Sequence, residues 1–225
     1  MELQNVVPWG RSLAEYQAMF ALSDADLHKR ILGCGDGPAS FNAEVTAASG
    51  HVVSVDPVYA FSAEEIRSRI AEVVPSIREQ LASHQADYLW DHFSSVDEVV
   101  RVRMHAIDRF LRDYEAGQHQ GRYVEAALPD LPFDDQSFDL ALCSNFLFLY
   151  TSQVSLDAHR AGVRELCRVA KEVRIYPLVS LEGAESTHLH PVIETLRGEG
   201  ISVQRKPVDY RFQKGATDML VLRNA

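Results

Sequence analysis

Apolar residues recur along this chain in two alternating rhythms. Dense short runs at 30–34, 52–55, 122–126, 138–143, 173–178, 201–207 and 218–222 read as strands, because strands buried on both faces show little polar alternation. Between several of these runs the spacing becomes helical. Leu13, Tyr16 and Phe20 share one face, as do Val163, Leu166 and Cys167 within 160–170, and Val192, Ile193 and Leu196 within 190–196. Strands alternating with helices predict an α/β sheet with helices packed on it. No repeat, low-complexity stretch or Pro/Gly/Ser-rich linker divides the chain, so 1–225 reads as a single domain.

The interval from Asp56 to Arg122 is far longer than the roughly dozen residues a crossover requires. Ser62-Ala63-Glu64-Glu65 and Ser95-Val96-Asp97-Glu98 have the form of capping boxes, each predicting a helix start. The second helix places Val100, Met104, Ile107, Leu111 and Tyr114 on one stripe. A helical insertion over about 61–118 follows, with Tyr88, Trp90, His92 and Phe93 concentrated at its turn. Two roles stay open for it: a satellite core, or a lid or acceptor region with Trp90, His92 and Met104 lining the cavity.

Composition narrows the function classes. With 46% hydrophobic and 24% charged residues the chain can build a sizeable core. Residues 1–8 lack a basic region followed by a long apolar stretch, so no secretory signal is read there. The most apolar segment, 140–150, is interrupted by Ser144 and Asn145 and falls well short of the roughly 20 residues that span a bilayer. Cys34, Cys143 and Cys167 have no paired spacing, which suits a reducing cytoplasm. A formal charge of -10 leaves no overall footprint for nucleic acid or an anionic membrane and favours a small-molecule acceptor. A monomer or homodimer is expected.

The candidate chemistry begins at Gly33-Cys34-Gly35-Asp36-Gly37, between the first strand and the next helix. A glycine turn there lets a ligand approach bare backbone and the unpaired N–H groups of a helix start. Asp56, closing the second strand, is placed to grip ribose hydroxyls. A nucleoside-containing cofactor is the first expectation.

These residues, with Leu131-Pro132-Phe133-Asp134-Asp135-Gln136-Ser137-Phe138-Asp139 leading into the fourth strand and Phe212-Gln213-Lys214-Gly215-Ala216 before the last, resemble the class I S-adenosylmethionine-dependent methyltransferases over most of the chain. The resemblance implies a doubly wound, Rossmann-like, seven-stranded and mostly parallel sheet, with an antiparallel last strand and the helical insertion between strands 2 and 3. It implies S-adenosyl-L-methionine as cofactor. His188 and His190 have an i, i+2 spacing open to metal binding, but no Cys or clustered carboxylate completes a set, so no metal is expected. Gly33, Cys34, Gly35, Asp36, Gly37, Asp56, Pro57, Ala127, Leu128, Ser144 and Asn145 become candidate cofactor contacts.

Four departures from the family pattern bear on function. Ile31 stands where an acid usually helps hold the methionine amino group, and Ala127 where an aspartate often reads adenine. Asn145-Phe146-Leu147-Phe148-Leu149-Tyr150 lacks the usual histidines, and Val169-Ala170-Lys171-Glu172 replaces a glycine pair, predicting a tight helix-to-strand connection. An N-terminal flap is one compensation, with Arg11 on the cofactor carboxylate and Tyr16 covering the sulfonium by cation–π attraction; a packing helix is the plainer reading of that segment. Phe146, Phe148 and Tyr150 are candidates for the acceptor wall or for core. His188, Tyr150 and His92 are the candidate catalytic groups, with His105 a further histidine near the cleft. The competing readings are a cofactor-binding regulatory protein without transfer, and a nicotinamide-dependent oxidoreductase, whose G-x-G-x-x-G turn is broken here by Pro38.

Overall fold

The computed structural model describes residues 9–224; the N-terminal octet examined for a signal lies outside the described residues. The central strand, β1 (Arg30–Cys34), carries Ile31 and Leu32, both fully buried and belonging to opposite layers of core. A strand apolar on both faces requires cover on both. It is flanked by β2 (His51–Val55) and β4 (Phe138–Ser144), and the sheet extends to β3 (Tyr123–Val124), β5 (Ala170–Tyr176), β6 (Ser202–Pro207) and β7 (Asp218–Arg223). Strand order is β3-β2-β1-β4-β5-β7-β6, with β1 to β5 parallel and β7 antiparallel to both neighbours. This is the sheet expected from the sequence.

Two strands differ from expectation by more than one residue at an end. The third strand has two residues instead of 122–126, since pairing with β2 involves only Tyr123 and Val124 before the chain leaves to wall the cleft. β5 starts at Ala170 rather than 173, because helix α6 (Leu156–Val169) runs directly into it. That is the tight connection predicted at the missing glycine pair.

Helices α1 (Leu13–Phe20), α2 (Asp24–Leu27) and α3 (Phe41–Ala47) lie with the core layer of Ile31, Leu140 and Leu142. On the other layer, α6 and α7 (Leu189–Gly198) pack against Leu32, Ala141, Cys143 and Val173. Between β2 and β3 stand α4 (Ala63–Ser83) and α5 (Val96–His119). Ser62 forms a complete capping box with Glu65. At Ser95 only half a box exists: its Oγ accepts from Glu98 N, but the Glu98 carboxylate is taken by Ser94 N and Oγ at 2.7 and 2.6 Å. No helix among the described residues is long and apolar enough to cross a membrane.

The buried face of α5 is turned from the predicted stripe. Val99, Arg103, Ala106, Ile107, Phe110, Leu111 and Tyr114 are buried, whereas Val100 and Met104 are only half-buried. Much of this face joins Tyr59, Ile66, Ile70 and Tyr123 in a satellite core. Arg103, 1% exposed, is the exception to that apolar character. Its guanidinium donates to Glu15 on α1 and, at 2.9 Å, to the Tyr210 hydroxyl, which itself donates to Glu15 at 3.0 Å. Burial pushes the Glu15 carboxyl upward, but the charges of Arg103 and then Arg11 outweigh it and hold the group below its ordinary range.

Removing one member of such a pair leaves the other charged and buried. Arg103→Met is therefore expected to lower unfolding free energy by about 3–5 kcal/mol in urea titrations; a loss well below 1 kcal/mol would contradict the tie between α1 and α5.

Candidate functional site

The carboxyl ends of β1, β2 and β4 open into one cleft of about 350 Å³, the place where ligands enter open parallel sheets. After β1 the chain turns at Gly35 and Gly37, with φ of +70° and +53°. A Cβ at Gly35 would face the Phe146 Cβ at 3.0 Å in addition to the strained backbone. Gly33 serves otherwise. A Cβ there would lie 1.9 Å from Asp36 Oδ2, so this glycine makes room for the Asp36 carboxylate and does not itself line the cleft. It is the one expected cofactor contact that does not line the cleft, and its visible role is that support.

Asp36 is only 7% exposed. Its Oδ1 accepts from the Tyr16 hydroxyl at 2.7 Å and its Oδ2 from Ser54 Oγ at 2.6 Å. Burial dominates, the two hydrogen bonds oppose it and the Asp56 charge adds to it, so the carboxyl is raised to about 6. Asp56 Oδ2 accepts from Gly37 N at 2.9 Å and Oδ1 from Val58 N at 2.8 Å. The acid at the end of β2 thereby fixes the glycine turn after β1. Burial raises its carboxyl while both N–H bonds act against the shift.

Cys34, Gly35, Asp36, Gly37, Asp56, Pro57, Ala127, Leu128, Ser144, Asn145, Arg11 and Tyr16 all line this one cleft. The manner differs at Tyr16. Its ring is 1% exposed and stacked on Phe41, with centroids 4.2 Å apart, so that face is unavailable for the expected cation–π cover. Its hydroxyl holds Asp36 instead. Trp9, Val55, Val58, Phe61, Arg69, Ala126 and Phe146 complete the wall. Phe61 was legible in principle: a large apolar side chain immediately before the Ser62 capping box, 51% exposed in the structure.

After β4 the chain enters a turn in which Asn145 and Phe148 have φ of +54° and +62°. Asn145 N donates to the Tyr176 carbonyl at 2.7 Å, and Phe148 N donates to His159 Nε2 at 3.0 Å. His159 Nδ1 lies 2.9 Å from the Ser155 carbonyl, so an Nδ1–H tautomer satisfies both contacts. Burial lowers the His159 pKa, which keeps the ring neutral in this role. This positioning histidine on α6 was not singled out in the sequence, where nothing local distinguishes it.

A smaller chamber of about 100 Å³ shares Trp9, Arg11 and Asn145 with the cleft. Tyr150 lines it, together with Tyr88, Tyr176, Tyr210, Phe212 and Arg103. Phe148 is fully buried in core. His188 and His92 line neither chamber, so neither has the placement expected of a base. His188 stands at the N-cap position of α7 without a capping side-chain hydrogen bond and lies edge-on to His159 at 4.8 Å. His92 is exposed, stacked on Tyr210 at 5.9 Å, with Nε2 3.2 Å from the Asp209 carbonyl. His105 is exposed on α5. Trp90 packs edge-on to Phe212 and Met104 on the satellite core, so the insertion reaches the smaller chamber through Ile77, Leu81, Tyr88 and Arg103 instead.

A family model described as a methyltransferase domain matches residues 98–173, from the start of α5 to the middle of β5. An uncharacterized protein of Methanocaldococcus jannaschii is 28% identical over 224 residues, covering 99% of this chain and 98% of that protein. Among solved structures, magnesium protoporphyrin IX methyltransferase from Synechocystis PCC 6803, with bound SAM, is 11% identical with a TM-score of 0.45, over 95% of this chain and 76% of that one. A Pyrococcus horikoshii protein described as a candidate RNA methyltransferase is 13% identical with a TM-score of 0.45, over 95% and 79%. The matched segment, the sheet order β3-β2-β1-β4-β5-β7-β6 and the glycine turn tied to Asp56 make this chain similar to a methyltransferase domain over residues 98–173.

Proposed function

We propose that the larger cleft holds S-adenosylmethionine and that the smaller chamber presents a small-molecule acceptor to it. The observation that carries this reading is the wall of Trp9, Arg11 and Asn145 common to both spaces. When bound, the cofactor supplies an electrophilic methyl group on a sulfonium, which departs as a neutral thioether. The protein's part is to position two reactants and shape the field around them.

Residues divide this work along the cleft. Each Asp56 oxygen accepts one backbone N–H and retains acceptor capacity for a ribose hydroxyl. Leu128 and Phe61 offer apolar surface to a base. At the other end the Asp36 carboxylate, held by Tyr16 and Ser54, takes the methionine ammonium; this substitutes for the acid that Ile31 displaces, since Ile31 is fully buried in core. Arg11 faces the methionine carboxylate with part of its guanidinium. The limited volume beyond it and the formal charge of -10 support a small acceptor over a nucleic acid.

Calorimetric titration with S-adenosylhomocysteine tests the assignment. Asp56→Ala is expected to weaken binding by about tenfold or more through lost hydrogen bonds to a charged acceptor, while NAD does not bind. Unchanged affinity in the variant, or selective binding of NAD, contradicts the reading.

The Asp36 carboxyl gives a second test. Its ionised fraction grows as pH rises through about 6, and the ammonium it receives stays protonated over that range. Affinity for S-adenosylhomocysteine should therefore increase between pH 5 and pH 7.5, by roughly tenfold if the pair is shielded. Asp36→Asn should flatten the profile. A pH-independent wild type would remove Asp36 from the ammonium site.

A further inference from the structure

The smaller chamber has an unusual inventory of charge. Arg11 and Arg103 line it, and among the described residues no Asp, Glu or His does. Glu15, bonded to Arg103 and Tyr210, offsets one cation. The second is less engaged: Arg11 Nη1 donates to the Trp9 carbonyl at 3.2 Å and its Nε is buried without a partner. A guanidinium has five N–H donors, so a carboxylate held bidentately on the cofactor side would still leave donors over. Arg103 Nε is likewise buried and unbonded.

Apart from Asn145 and Gln213, the rest of the wall is aromatic or aliphatic. Tyr88 and Phe212 stack with centroids 4.7 Å apart, and Tyr176 stands edge-on to Tyr210 at 6.1 Å. Flat surfaces of this kind select a flat ligand. The Tyr176 hydroxyl is turned to the Tyr210 and Ala216 carbonyls at 3.0 and 3.2 Å, and Gln213 Nε2 to the Ser180 carbonyl at 2.9 Å. These polar groups are spent on backbone and Asn145 Nδ2 donates to Ser144 Oγ at 2.9 Å, which leaves the two arginines as the charged feature of the wall.

Resting on the cofactor assignment above, we propose that the acceptor is a small aromatic hydroxyl compound that binds in the smaller chamber as its oxyanion, against Arg11, with no protein base. The hydroxyl proton goes to solvent as the ligand binds. An oxyanion meets guanidinium N–H groups better than a neutral hydroxyl does, because charge-assisted bonds are the stronger kind. The wall's own phenols report the same field. At Tyr88, Tyr176 and Tyr210 burial pushes the pKa up, Asp87 adding to it at Tyr88 and Glu15 at Tyr210, while Arg103 at Tyr210 and Arg11 at all three act against it. A ligand phenol has no such obligation to remain neutral. It can ionise where the tyrosines, held by packing and hydrogen bonds, do not.

The probe is 4-nitrophenol, whose phenolate absorbs visible light, with 4-nitroanisole as the uncharged counterpart. Both are titrated into the full chain with and without saturating S-adenosylhomocysteine, and bound phenolate is followed as pH is varied. The expected result is an apparent pKa of 4-nitrophenol about one unit lower when bound, equivalent to about tenfold preference for the anion, with 4-nitroanisole bound correspondingly more weakly. Arg11→Gln should abolish the drop. An unshifted pKa, equal affinity for the two compounds, binding of neither, or a shift retained in Arg11→Gln overturns the proposal. A shift without any binding of S-adenosylhomocysteine would uphold the anion chamber and sink the cofactor assignment; S-adenosylhomocysteine binding without a shift would do the reverse.

Discussion

Two carboxylates held against water in one cleft set the terms for the rest of the site. Asp36 and Asp56 come from adjacent connections, after β1 and after β2, and each is pushed upward by burial, with the Asp56 charge adding to the shift at Asp36. They persist because each is bonded through both oxygens: Tyr16 and Ser54 on one, Gly37 and Val58 on the other. Those four donors come from α1, β2, the glycine turn and the turn after β2. The carboxylates therefore join the elements surrounding the cleft, and the cleft retains negative charge that a positively charged ligand relieves.

The smaller chamber is arranged oppositely. Its charged lining residues are arginines, and of the carboxylates around them Glu15 is fixed between Arg103 and Tyr210, while the Asp87 charge bears on Tyr88. Arg11 stands where the two fields meet. A cofactor bearing a sulfonium and an ammonium suits the acidic side, and an anionic nucleophile suits the other. Opposite reactants would then be drawn toward a shared wall by preorganised charge, with no proton carrier required between them.

The sheet was legible because its signals are local. The glycine turn, Asp56 and the dense strand runs each span a few residues, and the mutual order of the three fixes the topology. Within the cleft the same locality made Gly35, Gly37, Asp56, Ser144 and Asn145 readable as residues that meet at one place. What stayed hidden depends on partners distant in sequence. Arg103 looks like one more polar residue on α5 until Glu15, 88 positions away, meets it. His159 on α6 acquires its role only when the turn after β4 brings Phe148 N to its ring. The histidines that did attract notice, His92 and His188, lie near the cleft in sequence order but behind Tyr210 and at the start of α7 in space. Proximity along the topology is a weaker constraint than the direction in which a helix presents its side chains.

The same distinction explains why the insertion serves as both core and wall. A pair of helices this long needs its own apolar contacts, and Ile66, Ile70, Phe110 and Tyr114 provide them beside Tyr59 and Tyr123. Once that packing fixes α5, one further position on its buried face can carry a charge at little conformational expense, because the helix has nowhere else to move. Arg103 occupies that position, one turn before Ile107 and two before Phe110 and Leu111. Its guanidinium then reaches across to α1 and to the connection between β6 and β7, drawing together the N-terminal segment that carries Arg11 and the aromatic segment that carries Tyr210 and Phe212. The satellite core is thus the condition for the smaller chamber: apolar packing supplies the rigidity, and a single buried cation turns that rigidity into a defined charge at the chamber wall.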